Sequence, residues 1–410
     1  MSLALTSLAP SFAGDEVDGD QASGWTTKQV SGEGYSFDIS RAENLQMARQ
    51  LARDYDTSVS EAIEQYAWQL DFIDFVDMLR ERASDSFVSA EILSYKSTPR
   101  AWIAFSRTPP VWIDGAIRDL GIPLEVRYKE GVLTEREQER LVPEVHYALS
   151  STPGISVEST SIDPLTSEVR VLFYVESEQR TAAILSLAER AVSLRDSDSH
   201  FSVVLLESET TRSVLDSNVR GGGQLRKQSG ETGCTSGFAA TRAGENGVLT
   251  AKHCTGSAYA YYSVINGSTY NLTGAHTTSH DRGDIRWKKT TTSITNFVHN
   301  HKTNHSSGVR VNQTKGSVVG QNVVLFGRTS GYKEDKVYRL NVCGAADYCN
   351  LTAVTNFVSA NGDSGGPWRT GTAAVGIHHG RANVDNKLRS MYTRIGVANT
   401  DLGVVVRTTP

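Results

Sequence analysis

The sequence predicts two halves of different fold class: an α+β half of two small modules, then an all-β half of the sandwich or barrel kind. Three observations carry this. Helical patterns alternate with strand-like runs up to Leu206 and then almost vanish. They give way to short β-rich runs such as "GVLTAKHC", "DIRWKK", "NVVLFGR" and "AAVGIHHG", separated by Gly, Ser, Asn and Thr. The charge changes sign: residues 1–220 hold 20 basic and 36 acidic side chains, net −16, and residues 221–410 hold 21 and 10, net +11. All four cysteines, Cys234, Cys254, Cys343 and Cys349, lie in the basic half.

Composition narrows the function classes. The 410 residues suit two or three domains, and 39% hydrophobic with 21% charged residues is an ordinary globular balance. No apolar run of about 18 residues exists, so no membrane span or membrane partner is expected. The Lys and Arg of the second half stand singly, without a basic run or interleaved aromatics, which argues against a nucleic-acid partner. An even number of cysteines without C-x-x-C spacing argues against zinc and redox dithiols. It favours two disulfides and a secreted, extracellular protein. No metal-ligand spacing appears, so no cofactor is implied.

The elements follow in order. Ser11-Phe12-Ala13 after a short apolar stretch reads as the tail of a signal peptide, and residues 1–35 as this remnant with a disordered, polar, Gly-rich segment. Ser58-x-x-Glu61 is a capping box, followed by Val59, Ala62, Ile63, Tyr66, Ala67 and Leu70 at helical spacing. Strands are expected at 87–93 and 101–105. Thr134-x-x-Glu137 opens a second helix, then come a strand at 168–175, a helix at 178–192 and a strand at 201–206. His146 and His200 are read as structural or exposed. Residues 36–220 thus form one acidic region of two modules. "SNVRGGGQLRKQ" (217–228) is a flexible, accessible link, and residues 221–410 form the β half.

Chemistry concentrates at "ANGDSGGPW" (360–368), which has no apolar period. A serine hydroxyl is a poor nucleophile without a base and without donors for the oxyanion. Glycines let a turn tighten until neighbouring N–H groups converge; Gly362 and Ser364 would supply them around a nucleophilic Ser364. His253 in "LTAKHC" is the candidate base, and a Cys234–Cys254 bridge would staple its loop. "HDRGDIRW" offers Asp281 and Asp284 to orient the imidazole. Asp284, at the entry to an alternating strand, is favoured over Asp281. Cys343 and Cys349 would clip a hairpin.

With the order His, Asp, Ser in view, "TAKHC" and "GDSGGP" resemble the signature motifs of chymotrypsin-like serine peptidases. Residues from about 222 to 410 are most similar to the bacterial secreted streptogrisin and α-lytic protease type. The resemblance implies two six-stranded antiparallel β-barrels with the catalytic residues between them. It also implies that the acidic half is a pro-region that assists folding and then inhibits, cut off near residue 221, leaving a monomeric enzyme acting on proteins or peptides. "GRTSGY" (327–332) resembles a segment of that branch whose arginine pairs with the aspartate before the nucleophile, which carries over as Arg328 with Asp363. Phe326, Glu334 and Ala360 depart from the branch, standing near where its cysteines are common. Val358, six residues before Ser364, argues against Arg/Lys preference. His378, in "GIHHG", matches a carboxylate-binding histidine of glutamate-specific relatives, with Ser359 and Arg381 as helpers and His379 and Gly380 in the same substrate-pairing strand. Preference for Glu or for large neutral residues stays open. A non-catalytic, protease-like binding protein is the alternative.

Overall fold

The chain was analysed as a computed structural model that describes residues 24–409. Within that span it omits 33, 176–179, 195–199, 208–222, 228–231, 255–258, 263–268, 300–307, 345 and 346. The expected signal remnant and most of the Gly-rich junction, with the expected cleavage point, lie outside the described residues.

The first module is a four-stranded sheet in the order Thr26–Val30, Leu124–Tyr128, Ala101–Phe105, Phe87–Ile92. Helices Ala42–Asp54, Trp68–Arg82 and Ile113–Leu120 accompany it. The capping box forms as expected: Ser58 accepts from Glu61 N, and the Glu61 carboxylate accepts from Ser58 N. One expectation fails. The stretch read as disordered through residue 35 contains the edge strand Thr26–Val30, paired antiparallel to Leu124–Tyr128. Only Val30 of its five residues is buried, so main-chain pairing holds a segment without the alternation that marks a half-buried strand.

The second module is a three-stranded sheet, Ile155–Asp163, Glu168–Val175, Ser202–Glu207, with helices Glu135–Ser150 and Arg180–Ser193. Thr134 and Glu137 complete the second capping box. His146 is buried with Nδ1 2.9 Å from Thr160 Oγ1, and His200 is exposed, as their structural reading requires.

The β half has two lobes. In the second lobe, strands Ala373–Val384, Pro367–Thr370, Asn322–Gly327, Gly331–Val342, Leu351–Val354 and Lys387–Arg394 pair in that order. The last pairs back with the first, so the six close into an antiparallel barrel. In the first lobe, an antiparallel ladder runs through eight strands. Two lie between Gln224 and Thr235 and four between Ala239 and Thr277, Arg286–Lys289 is the seventh, and Val404–Val406 extends one edge. Both expected disulfides are present, Cys234–Cys254 and Cys343–Cys349.

The acidic half packs on the second lobe. Asp54 makes a buried bidentate pair with Arg369, at 2.5 and 2.8 Å, and its carbonyl accepts from Tyr332 Oη. Met47, Leu51 and Leu70 share a cluster with Ala373. Arg80 joins Asp77 and Glu135 and donates to Ser317 O, while Gly316 N donates to Asp77. In the second module, Thr160 and Cys343 exchange main-chain hydrogen bonds. No helix among the described residues is long and apolar enough to cross a membrane.

Candidate active site

His253 follows the strand Glu245–Thr250, and the Cys254 bridge ties its loop to the strand Thr232–Thr235. Asp284 follows Gly283, which has φ 126 and whose missing side chain makes room for Thr393. Asp284 N donates to Thr393 Oγ1 at 2.9 Å, so the second lobe helps place a residue of the first. Ser364 sits in a turn where Asp363 N donates to Ala360 O and Gly366 N to Asp363 O. Gly365 has φ 86, and a Cβ there would meet Thr250 Oγ1 at 2.1 Å, so only glycine fits.

The structure brings three predicted side chains together. His253 Nδ1 lies 2.5 Å from Asp284 Oδ2, and His253 Nε2 lies 2.8 Å from Ser364 Oγ. His253 N donates to Asp284 Oδ1 at 2.9 Å, which locks the carboxylate against the imidazole. Asp284 is fully buried. Burial works to raise its affinity for a proton, but the two histidines facing it outweigh burial and hold it well below the usual carboxylate range. Asp281 makes none of these bonds. Thr235 Oγ1 donates to Gly362 O at 2.8 Å and Thr235 N to Ser364 O at 2.7 Å. These contacts fix the carbonyls of both expected oxyanion residues, and Gly362 itself has φ 104. The N–H groups of Gly362 and Ser364 donate to none of the bonds just named.

Asp363, expected beside Arg328, is held by main-chain donors. Its Oδ1 accepts from Thr329 N and Ser330 N at 2.9 and 3.1 Å, and its Oδ2 from Ala360 N at 2.8 Å. The carboxylate presses on Gly327, where a Cβ would come within 2.2 Å, so the main chain lies close against it. His379, expected in the substrate-pairing strand, turns its ring to the catalytic carboxylate. Its Nδ1 lies 2.8 Å from Asp284 Oδ2.

His378 faces the other way, accepting from Trp368 Nε1 at 3.2 Å. Ser359 Oγ lies 2.8 Å from Ser390 Oγ, whose oxygen also accepts from Val358 N and Ser359 N. The Arg381 guanidinium lies over the Phe357 ring at 5.0 Å. Sequence reasoning missed Tyr348, whose ring stands 6.5 Å from His253, and the support given by Thr235 and Thr393. Nothing in their local sequence marks them, because folding alone brings them near. One donor atom from each of His253, Asp284 and His379 lies within 4.8 Å of the others, the only such trio among the described residues. A cation there would have to displace the protons of these hydrogen bonds.

No family model matches the chain. It is 27% identical over 238 residues to Serine protease 1 of Streptomyces fradiae, covering 57% of this chain and 62% of that protein. It is 29% identical over 167 residues to Glutamyl endopeptidase 2 of Streptomyces griseus, covering 40% of this chain and 85% of that protein. The first match therefore spans less than two thirds of its relative's length. A solved structure described as "A glutamic acid specific serine protease utilizes a novel histidine triad in substrate binding" aligns at 26% identity. That alignment has a TM-score of 0.38 and covers 46% of this chain and 99% of that one. The curated relatives, with the closed six-strand ring, mark this chain as similar to chymotrypsin-like serine peptidases.

Proposed function

We propose that the protein is a secreted serine endopeptidase made as a proenzyme. The observation that carries this reading is the single imidazole joining a buried carboxylate to a serine hydroxyl. Ser364 Oγ attacks the substrate carbonyl while His253 Nε2 takes its proton, and Asp284 stabilises the resulting imidazolium. The oxyanion is met by the N–H groups of Gly362 and Ser364. His253 then protonates the leaving amine, and water hydrolyses the acyl-enzyme by the same route. Substrates are proteins or peptides, and the mature enzyme acts as a monomer without a cofactor.

The residue before the cut is Glu or a large neutral side chain, not Arg or Lys. Val358 places no carboxylate at the pocket. His378 accepts from Trp368 through Nδ1, so its ring proton sits on Nε2. Such a donor, with Ser359 and Arg381 as helpers, suits a substrate carboxylate. Similarity to a glutamyl endopeptidase supports that choice.

Residues 36–220 are the pro-region, which assists folding and inhibits the product. Barrels built on non-local pairing fold slowly, which gives such an assistant its use. The buried Asp54–Arg369 pair supports an inhibitor docked on the second lobe.

The test is intact mass and a peptide library on secreted full-length protein beside its Ser364→Ala variant. Wild type is expected to split near residue 221 and to cut after Glu or large neutral residues, and the variant to stay whole and silent. If both fold, stay whole and cut nothing, the protein is instead a binding protein on a protease fold.

A further inference from the structure

The catalytic reading leaves one buried imidazole at the site without a task. His378 and His379 are adjacent in the strand Ala373–Val384, and side chains alternate faces along a strand. His378 therefore meets Trp368, and His379 meets Asp284. Asp284 Oδ2 faces two imidazole nitrogens, His253 Nδ1 and His379 Nδ1. A carboxylate can only accept, so both nitrogens must carry protons. His379 Nε2 is buried without a hydrogen-bond partner among the described residues. A proton there would be stranded, and burial pushes His379 towards its neutral form. The ring is thus a neutral Nδ1–H donor, edge-on to His253 with centroids 5.7 Å apart and closed on another side by Tyr348 at 5.3 Å.

We propose that His379 is a positioning residue for the catalytic carboxylate: it shares Asp284 Oδ2 with His253, fixes the carboxylate's rotation and draws off part of its negative charge. This rests on the peptidase reading. A carboxylate that shares its charge stabilises the His253 imidazolium less, so the catalytic base stays unprotonated to lower pH. Removing the second donor returns full charge to Asp284, and the acid limb of activity moves up. The other groups facing the carboxylate and its two imidazoles are Lys252, Arg286 and Asp281 from the first lobe, Tyr348 with His280 stacked on it, and His378. None is altered by changing His379.

The experiment is the pH profile of kcat/KM for secreted full-length protein after self-processing, for wild type, His379→Leu and His379→Asn. Leu fills the space without a donor, and Asn keeps one. The acid limb is expected to rise by about one pH unit in the Leu variant, about a tenfold lower kcat/KM at a fixed acid pH. In the Asn variant it should return towards wild type. A Leu variant with the wild-type limb, whatever its maximal rate, overturns the proposal. A second readout does not depend on that variant folding. Nitrogen NMR of labelled histidine in full-length Ser364→Ala is expected to place the His379 proton on Nδ1; a proton on Nε2 overturns the proposal. A silent wild type sinks the peptidase reading and this one together, and is recognised because the parent, not the variant, is inactive.

Discussion

Asp363 shows what a single side chain does beside the nucleophile. Its two oxygens hold three main-chain N–H groups, from Thr329, Ser330 and Ala360, and so join two loops to the turn that carries Ser364. Asp363→Ala would strand these donors, and each unsatisfied buried group costs about 1–3 kcal/mol. The variant, made in the Ser364→Ala background, is expected to lose several kcal/mol in denaturant unfolding, and in the active background to lose most of its activity. Arg328→Ala should change both far less, since three main-chain donors already hold Asp363; an equal loss would give the weight to the pairing inferred from sequence. The main-chain donors escaped the sequence for a physical reason. "GDSGGP" and "GRTSGY" name side chains, whereas main-chain donors belong to every residue and leave no mark on composition. His253, Asp284 and Ser364 were legible because their chemistry demands particular residue types. His379 was legible only as a histidine near the site, because a strand's alternation decides which way it faces, and the bulge between His378 and Gly380 disturbs that count.

At the scale of elements, helices with strong local signals were found and those held by packing were not. The boxes at Ser58 and Thr134 are local hydrogen bonds and read directly. The helix Ala42–Asp54 has Arg41 at its N-cap with no side-chain cap, so its start is unmarked. Yet it carries Asp54, which meets Arg369 in a site where both side chains are almost fully buried. Removing one partner of such a pair leaves an uncompensated charge, at a cost of roughly 3–5 kcal/mol. Asp54→Ala in full-length Ser364→Ala is expected to lose that much in equilibrium unfolding, and a change under about 1 kcal/mol would mean that Arg369 finds another partner. The helix Glu135–Ser150 adds a pH dependence. Burial would raise the Glu135 carboxyl, but Arg80 and Arg394 outweigh it and hold it below its ordinary value. A lowered folded value gives stability that is present above the unfolded value of about 4.3 and is lost as pH falls towards the folded one. Glu135→Gln should therefore destabilise the Ser364→Ala chain at neutral pH and flatten the fall in stability on its acid side.

Across the whole molecule, the opposite charge of the halves and the contacts between them answer different questions. Net charges of −16 and +11 create long-range fields, which orient encounter and weaken with salt. The contacts that hold the docked state are of another kind: a buried ion pair, main-chain bonds between Thr160 and Cys343, and the cluster of Met47, Leu51 and Leu70 on Ala373. Salt screens buried pairs little, and apolar burial does not fade with it. If self-processing cuts near residue 221, the two pieces should therefore remain together as a non-covalent complex. They should co-elute in size-exclusion chromatography at low salt and equally at about 0.5 M salt, where the Debye length is only a few ångströms. Salt should show instead in kinetics, slowing reassociation of pieces separated in denaturant without lowering the final yield of complex. Separation by salt alone would mean that the charge difference, not the buried contacts, holds the halves together. The Asp54–Arg369 pair would then be incidental to docking, and inhibition would end at the cut rather than when the acidic half is degraded.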